Sequence, residues 1–172
     1  PELARKLEPR ATAPHRRIEA IRRLSEAGIP TGIMVAPMIP ALTDASLEAS
    51  LEAGFAAGAR EAGYVLLRLS HELKDIFRAW LDVHYPERAE HVMSLVRQSR
   101  GGHENDTRFG VRMTGEGVFA QLIRQRFRKA CARLGMNDRH YTLDTLQFRP
   151  VDADALSPTR EKIQTSPQMT LF

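Results

Sequence analysis

The chain has 172 residues, with 25 basic against 21 acidic side chains for a net charge of +4, and with 42% hydrophobic and 27% charged residues. This usage is that of one globular domain with a real core and excludes a mainly disordered chain, while no apolar run approaches the roughly 20 residues that span a bilayer. Cys131 is the one cysteine, which excludes an internal disulfide and any cysteine-only metal or iron–sulfur site built by this chain alone.

Read from the start, PELARKLEPR lacks the apolar centre of a signal peptide, and the expected location is the cytoplasm. Thr12 is placed to cap a helix with Pro14 in its first turn. Ile18, Ile21, Leu24 and Ala27 then recur at helical spacing until Gly28 closes the segment. Residues 31–40, TGIMVAPMIP, are almost continuously apolar, which predicts a strand covered on both faces in the manner of parallel sheets. Thr43 is expected to cap a second helix that carries Leu47, Leu51, Phe55 and Ala59 on one stripe, and Gly63 precedes a second predicted strand, residues 64–70. Helix, strand, helix, strand is the alternation of an α/β fold.

From residue 71 the pattern is helical only. Leu73, Ile76, Phe77, Trp80 and Leu81 form one stripe, Pro86 breaks it, and Ala89, Val92, Met93 and Val96 form the next. Residues 100–117, RGGHENDTRFGVRMTGEG, are polar and glycine-rich and read as a long loop, functional or disordered. Phe119, Leu122, Ile123, Phe127, Ala130, Cys131 and Leu134 define a last helix ended by Gly135; its apolar stripe places Cys131 as a buried structural thiol. Periodicity is lost beyond Asn137, and the end reads as a flexible tail. The chain thus divides into residues 1–70, 71–136 and 137–172. Two strands make no independently stable sheet and their edges need cover, so the expectation is the C-terminal part of a larger α/β protein whose other strands lie upstream.

Three segments carry a family likeness: KLEPRATAPHRRIEAIRRLSEAGIPTGIMVAPMIPALTDASLEA, VLLRLSHELKDIFRAWLDVHYPERAEHVMSLVRQSRGG and RFGVRMTGEG. In this order, over roughly residues 1–134, they resemble the C-terminal half of bacterial radical S-adenosylmethionine proteins related to spore photoproduct lyase. The resemblance implies the C-terminal part of a partial (β/α)6 TIM-like barrel, followed by a mainly helical region. It also implies S-adenosylmethionine and a 4Fe-4S cluster as cofactors of the full-length protein. Their Cys-x3-Cys-x2-Cys loop is not in this chain, so the isolated chain is expected to be inactive. In that superfamily one-electron reduction of the cluster releases a 5′-deoxyadenosyl radical from S-adenosylmethionine, and the barrel positions the cofactor.

Sites in such barrels lie at the C-terminal ends of the strands. Within the resemblance Met38, Ile39 and Pro40 lie against the adenine of the cofactor, with barrel core as the alternative, and many relatives have glycine where Ala41 stands. Alternation puts Tyr64, Leu66, Arg68 and Ser70 on one face, expected to look into the barrel, where Arg68 would steady an anionic substrate or the cofactor carboxylate. An ion pair with a neighbouring acid is its alternative. His71 and Glu72 complete the catalytic candidates as proton-transfer or substrate-contacting groups, against the alternative that residues 70–72 cap the next helix. Arg10 is a candidate to grip the cofactor carboxylate by a bidentate fork. The histidines show no metal-ligand spacing, and no metal site is expected.

The last helix carries Arg124, Arg126, Arg128, Lys129 and Arg133 off its apolar stripe, as a solvated face or a phosphate-binding one; Arg124, Arg128 and Lys129 are the nucleic-acid candidates. Spore photoproduct lyase repairs a thymine lesion in DNA, so the resemblance points to DNA or a nucleic-acid-linked substrate, reached in duplex by base flipping. The terminal Gln168-Met169-Thr170-Leu171-Phe172 resembles the Gln-x-x-Leu-Phe peptide by which bacterial DNA-processing proteins dock on the replication sliding clamp. There Leu171 and Phe172 would enter an apolar pocket and Gln168 would meet polar groups beside it. No membrane partner is expected. The leading reading is a fragment of a radical S-adenosylmethionine enzyme; the alternative is a non-catalytic DNA- or clamp-binding module.

Overall fold

The computed structural model describes residues 2–138, which belong to one compact unit. The fold is mixed α/β and mostly helical. In chain order the elements are α1 (Glu2–Leu7), α2 (Pro14–Glu26), β1 (Gly32–Met38), α3 (Leu47–Ala56), β2 (Glu61–Leu66), α4 (Leu73–His84), α5 (Ala89–Gln98) and α6 (Gly117–Leu134). Among the described residues no helix is long and apolar enough to cross a membrane.

The strands pair in parallel through the α3 crossover, with Gly32 opposite Glu61, Met34 opposite Gly63 and Val35 opposite Tyr64. The register shifts between Val35 and Met38, where Pro37 has no N–H to give the ladder. The second strand lies earlier than its sequence predicts: it opens where the Arg60 N–H reaches Thr31 O (3.0 Å) and ends at Leu66, not at Ser70. Gly63 is therefore inside the strand. Its missing Cβ makes room for the neighbouring Met34, whose Cε would lie 2.7 Å from a built Cβ, so this glycine serves packing and not a boundary.

The expected side-chain caps are also corrected. Pro14 does open α2, but Ala13 holds the capping position with no side-chain bond, and Thr12 contributes only its carbonyl, to Arg17 Nε (2.8 Å). A short 3-10 turn, Asp44–Ser46, precedes α3, and Thr43 instead accepts the Ile39 N–H on its hydroxyl (2.7 Å), closing the turn after β1. The α4 start is likewise a backbone turn, Leu73 N–H to Ser70 O at 3.0 Å, without a side-chain cap from Glu72. Helix α1 has only Leu3 and Leu7 as large apolar residues; a Glu2–Lys6 ion pair (2.9 Å) and the Trp80 indole N–H on Lys6 O (3.1 Å) hold it, and the second of these is invisible to local patterning.

Two apolar clusters hold the molecule. In the first, Ile33, Val35, Ala62, Tyr64 and Leu66 form one face of the sheet and pack against α3 and α6 through Leu47, Leu51, Ala120, Ile123 and Cys131. In the second, Ile39 and Leu69, just past the strand ends, meet Phe77 and Leu81 of α4 and Val92, Met93 and Val96 of α5. Each fully buried leucine here contributes about 1.5–3 kcal/mol by leaving water.

The other face of the sheet is different. Gly32, Met34 and Ala36 alternate with the core residues of β1, and all three are exposed, Met34 at 62%. The expected cover on both faces is thus corrected: the described residues cover one. The two edges are unequal as well. Beyond β2, the Asn137 side chain accepts the Ala62 N–H (2.7 Å) and donates to Ala62 O (3.1 Å), while Leu66 N–H reaches Met113 O at 2.9 Å. Thr31 O faces β2, so by alternation Ile33 and Val35 do too, and Gly32, Met34 and Ala36 turn their peptide groups to the opposite edge. No described residue pairs with them there.

Candidate functional site

A groove of about 810 Å3 runs along this open edge, walled by Leu7 of α1, Ile18 and Ile21 of α2, and Ala53 of α3, with Met34 and Ala36 along its floor. Helix α2 has no fully buried residue and Leu24 of its apolar stripe is exposed; Ile18 and Ile21 line the groove, Ile21 also packing against the sheet cluster. The geometry leaves room for extended chain against β1, with helices on both sides.

At the C-terminal end of β1, Met38 and Ile39 are fully buried, Met38 in the sheet cluster and Ile39 in the α4–α5 cluster, and Pro40 is buried beside them. Ala41 follows with φ of 58°, a left-handed backbone that glycine adopts without strain. Arg10 is exposed in the turn after α1.

Arg68 does not continue the face of Tyr64 and Leu66, since β2 ends at Leu66. Tyr64 and Leu66, the residues it was expected to line up with, face the helices, Tyr64 with its ring 4.8 Å from that of Phe127 on α6. Burial pushes the Tyr64 phenol up, the neighbouring Arg124 guanidinium opposes that, and the hydroxyl makes no well-formed hydrogen bond among the described residues. Arg68 lies past the strand end, where one guanidinium nitrogen reaches Met113 Sδ (3.7 Å) and the buried Nε is unpartnered; the alternative ion pair is absent among the described residues. His71, with φ of 47°, and Glu72 are exposed, and no hydrogen bond joins either to Arg68.

The arginine that organises this end is Arg100, which the sequence did not single out. It is 1% exposed. One terminal nitrogen donates to Val111 O (3.2 Å) and Arg112 O (2.9 Å), the other to Leu66 O (3.1 Å) and Leu67 O (2.9 Å). Burial pushes its pKa down, the Asp106 charge opposes that, and the Arg68 charge adds to it. Carbonyls therefore solvate the buried charge and bind the α5–α6 loop to the end of β2. Within that loop Arg108 forks onto Asp106, Nε to Oδ1 at 3.1 Å and to Oδ2 at 3.0 Å, and reaches Glu116 at 2.8 Å. These bonds, with the Arg108 N–H, hold the Asp106 carboxyl down at about 2.

On α6, Arg126 is committed to Glu48 (2.6 Å) and Arg133 to Glu52 (2.6 Å). Arg124 touches Gly115 O (3.4 Å), while Arg128 and Lys129 are exposed. Cys131 is buried against the sheet, and that burial pushes its thiol up. Among the described residues no group of three or more His, Cys, Asp or Glu side chains is placed to hold a metal. Gln168, Leu171 and Phe172 lie outside the described residues. No family model matches the chain, and no curated protein or solved structure does.

Proposed function

We propose that the chain supplies the last two strand–helix units of a larger radical S-adenosylmethionine barrel of the spore photoproduct lyase type, with the β1 edge as the joint. One observation carries the incomplete-barrel part: the outer edge of β2 is engaged at Ala62 by Asn137 and at Leu66 by Met113, whereas β1 offers its peptide groups to an apolar groove. The uncovered face supports it, since Gly32, Met34 and Ala36 beside Gly63 and Val65 are the small and apolar residues that line a filled interior. Support for the family is the order of the three sequence segments.

The residues of this chain do not fit the cluster, because the one thiol is buried in the α6 core. On this reading the ligands lie outside the chain, whose part is to close the barrel wall and place Met38, Ile39 and Pro40 behind the cofactor side. Anaerobic reconstitution of the complete coding region should give a brown iron–sulfur absorbance and reductive cleavage of S-adenosylmethionine, and the 172-residue chain neither. A complete product that takes up no cluster would contradict the reading.

The alternative, a non-catalytic DNA- or clamp-binding module, draws on the exposed Arg128 and Lys129 and on Gln168, Leu171 and Phe172. Sliding-clamp binding that is lost on deleting residues 168–172 would favour it; no binding by the intact chain would count against it.

A further inference from the structure

We propose that the α5–α6 loop and the adjoining face of α6 bind single-stranded nucleic acid, with Phe109 as a stacking platform and Arg112, Arg124 and Arg128 as phosphate contacts. The proposal stands on the loop and the adjoining face of α6 together; it deepens and rests on the DNA-binding alternative above, and needs neither the cluster nor the barrel.

Phe109 is 90% exposed, an unusual place for a phenyl ring. The loop on either side of it is anchored. Arg108 before it is held by Asp106 and Glu116, and the carbonyls of Val111 and Arg112 after it are held by Arg100. A ring positioned in advance loses little freedom when a planar group stacks on it. The Arg112 guanidinium lies over the ring, 5.5 Å from its centroid, so an aromatic surface and a cation are already paired.

The local charges favour a polyanion. Arg108 is shared by Asp106 and Glu116 and leaves one negative charge over, while Arg78 and Arg97 together offset Glu104 and Glu90. Among the described residues Arg112, Arg124, Arg128 and Lys129 have no carboxylate partner, so the balance of uncompensated charge is positive. Arg124 joins α6 to the loop at Gly115 O (3.4 Å), and Arg128 follows one turn later on the same face. A phenyl ring stacks only on an unpaired base, which selects a single strand over a duplex.

The test is fluorescence anisotropy of the full chain with labelled oligo-dT, oligo-rU and a DNA duplex of equal length. Both single strands should bind more tightly than the duplex, with the tighter of the two identifying the preferred sugar and equal binding a general single-strand surface. Phe109→Ala should weaken binding about tenfold. Arg112→Ala and Arg128→Gln should each flatten the salt dependence. Arg133→Gln, which removes a cation already paired with Glu52, should change little. Equal thermal midpoints would certify that the exposed substitutions leave the fold intact. Four results would each overturn the proposal: no single-strand binding at low salt, duplex binding as tight, no effect of Phe109→Ala, or equal binding of an acidic peptide of matched charge.

Discussion

Arg100 sits where a full charge is expensive, 1% exposed and bonded to no carboxylate, and it is tolerated because four peptide carbonyls replace its water. Arg100→Met leaves those acceptors unmet and should cost about 3 kcal/mol, seen as a lower urea midpoint at unchanged slope. Proteolysis within residues 101–115 should accelerate with it. Asp106 gives a second expectation, in pH. Its folded value near 2 lies below the usual 3.8, so its contribution is complete above pH 3.8 and fades as pH falls towards 2. Protection factors in the loop, corrected for the pH dependence of intrinsic exchange, should therefore hold at pH 4 and fall only in the more acid range; a loss of protection by pH 5 would contradict the Arg108 fork. None of this was legible in the sequence. Strand-end logic pointed to Arg68, His71 and Glu72, whereas the partners of Arg100 come from positions 11 to 34 residues away.

Among the elements, the helices were readable because burial follows their 3.6-residue period. Leu47 and Leu51, Val92, Met93 and Val96, and Ile123, Ala130 and Cys131 fall on the buried stripes that their spacing predicts, whereas Leu73 and Ile76 of α4 and Leu122 of α6, read on the same stripes, are exposed. The strands were harder. Gly63 reads as punctuation in a single sequence, but its place against Met34 comes from the register of a partner strand. Gly115 is the contrasting case, with φ of 71° and a built Cβ 2.9 Å from Ser99 O and 2.8 Å from Leu66 Cδ1. Gly115→Ala meets backbone that cannot yield and should destabilise by about 2 kcal/mol. Gly63→Ala meets only the flexible end of an exposed methionine and should stay within about 1 kcal/mol. Paired urea titrations check the order, and equal costs would mean that the loop does not close on β2 as described.

For the molecule as a whole, the two parallel strands were legible in the sequence, and the structure adds which edge and which face of their sheet the described residues leave uncovered. Residues 31–40 read as a strand buried on both faces because every position but Thr31 and Gly32 is plainly apolar or proline; the described residues cover only the side of Ile33 and Val35. Which edge stays open could not be read, since the outer edge of β2 is engaged by Asn137 and Met113, both far along the chain. The most direct measurement is residue-resolved amide exchange along β1. In this chain the N–H groups of Gly32, Met34 and Ala36 should exchange close to unprotected rates, while those of Ile33, Val35, Ala62 and Leu66 are protected; in the product of the complete coding region the first three should slow as well. Protection of Gly32, Met34 and Ala36 in the 172-residue chain equal to that of Ala62 and Leu66 would contradict an open edge and the larger barrel inferred from it.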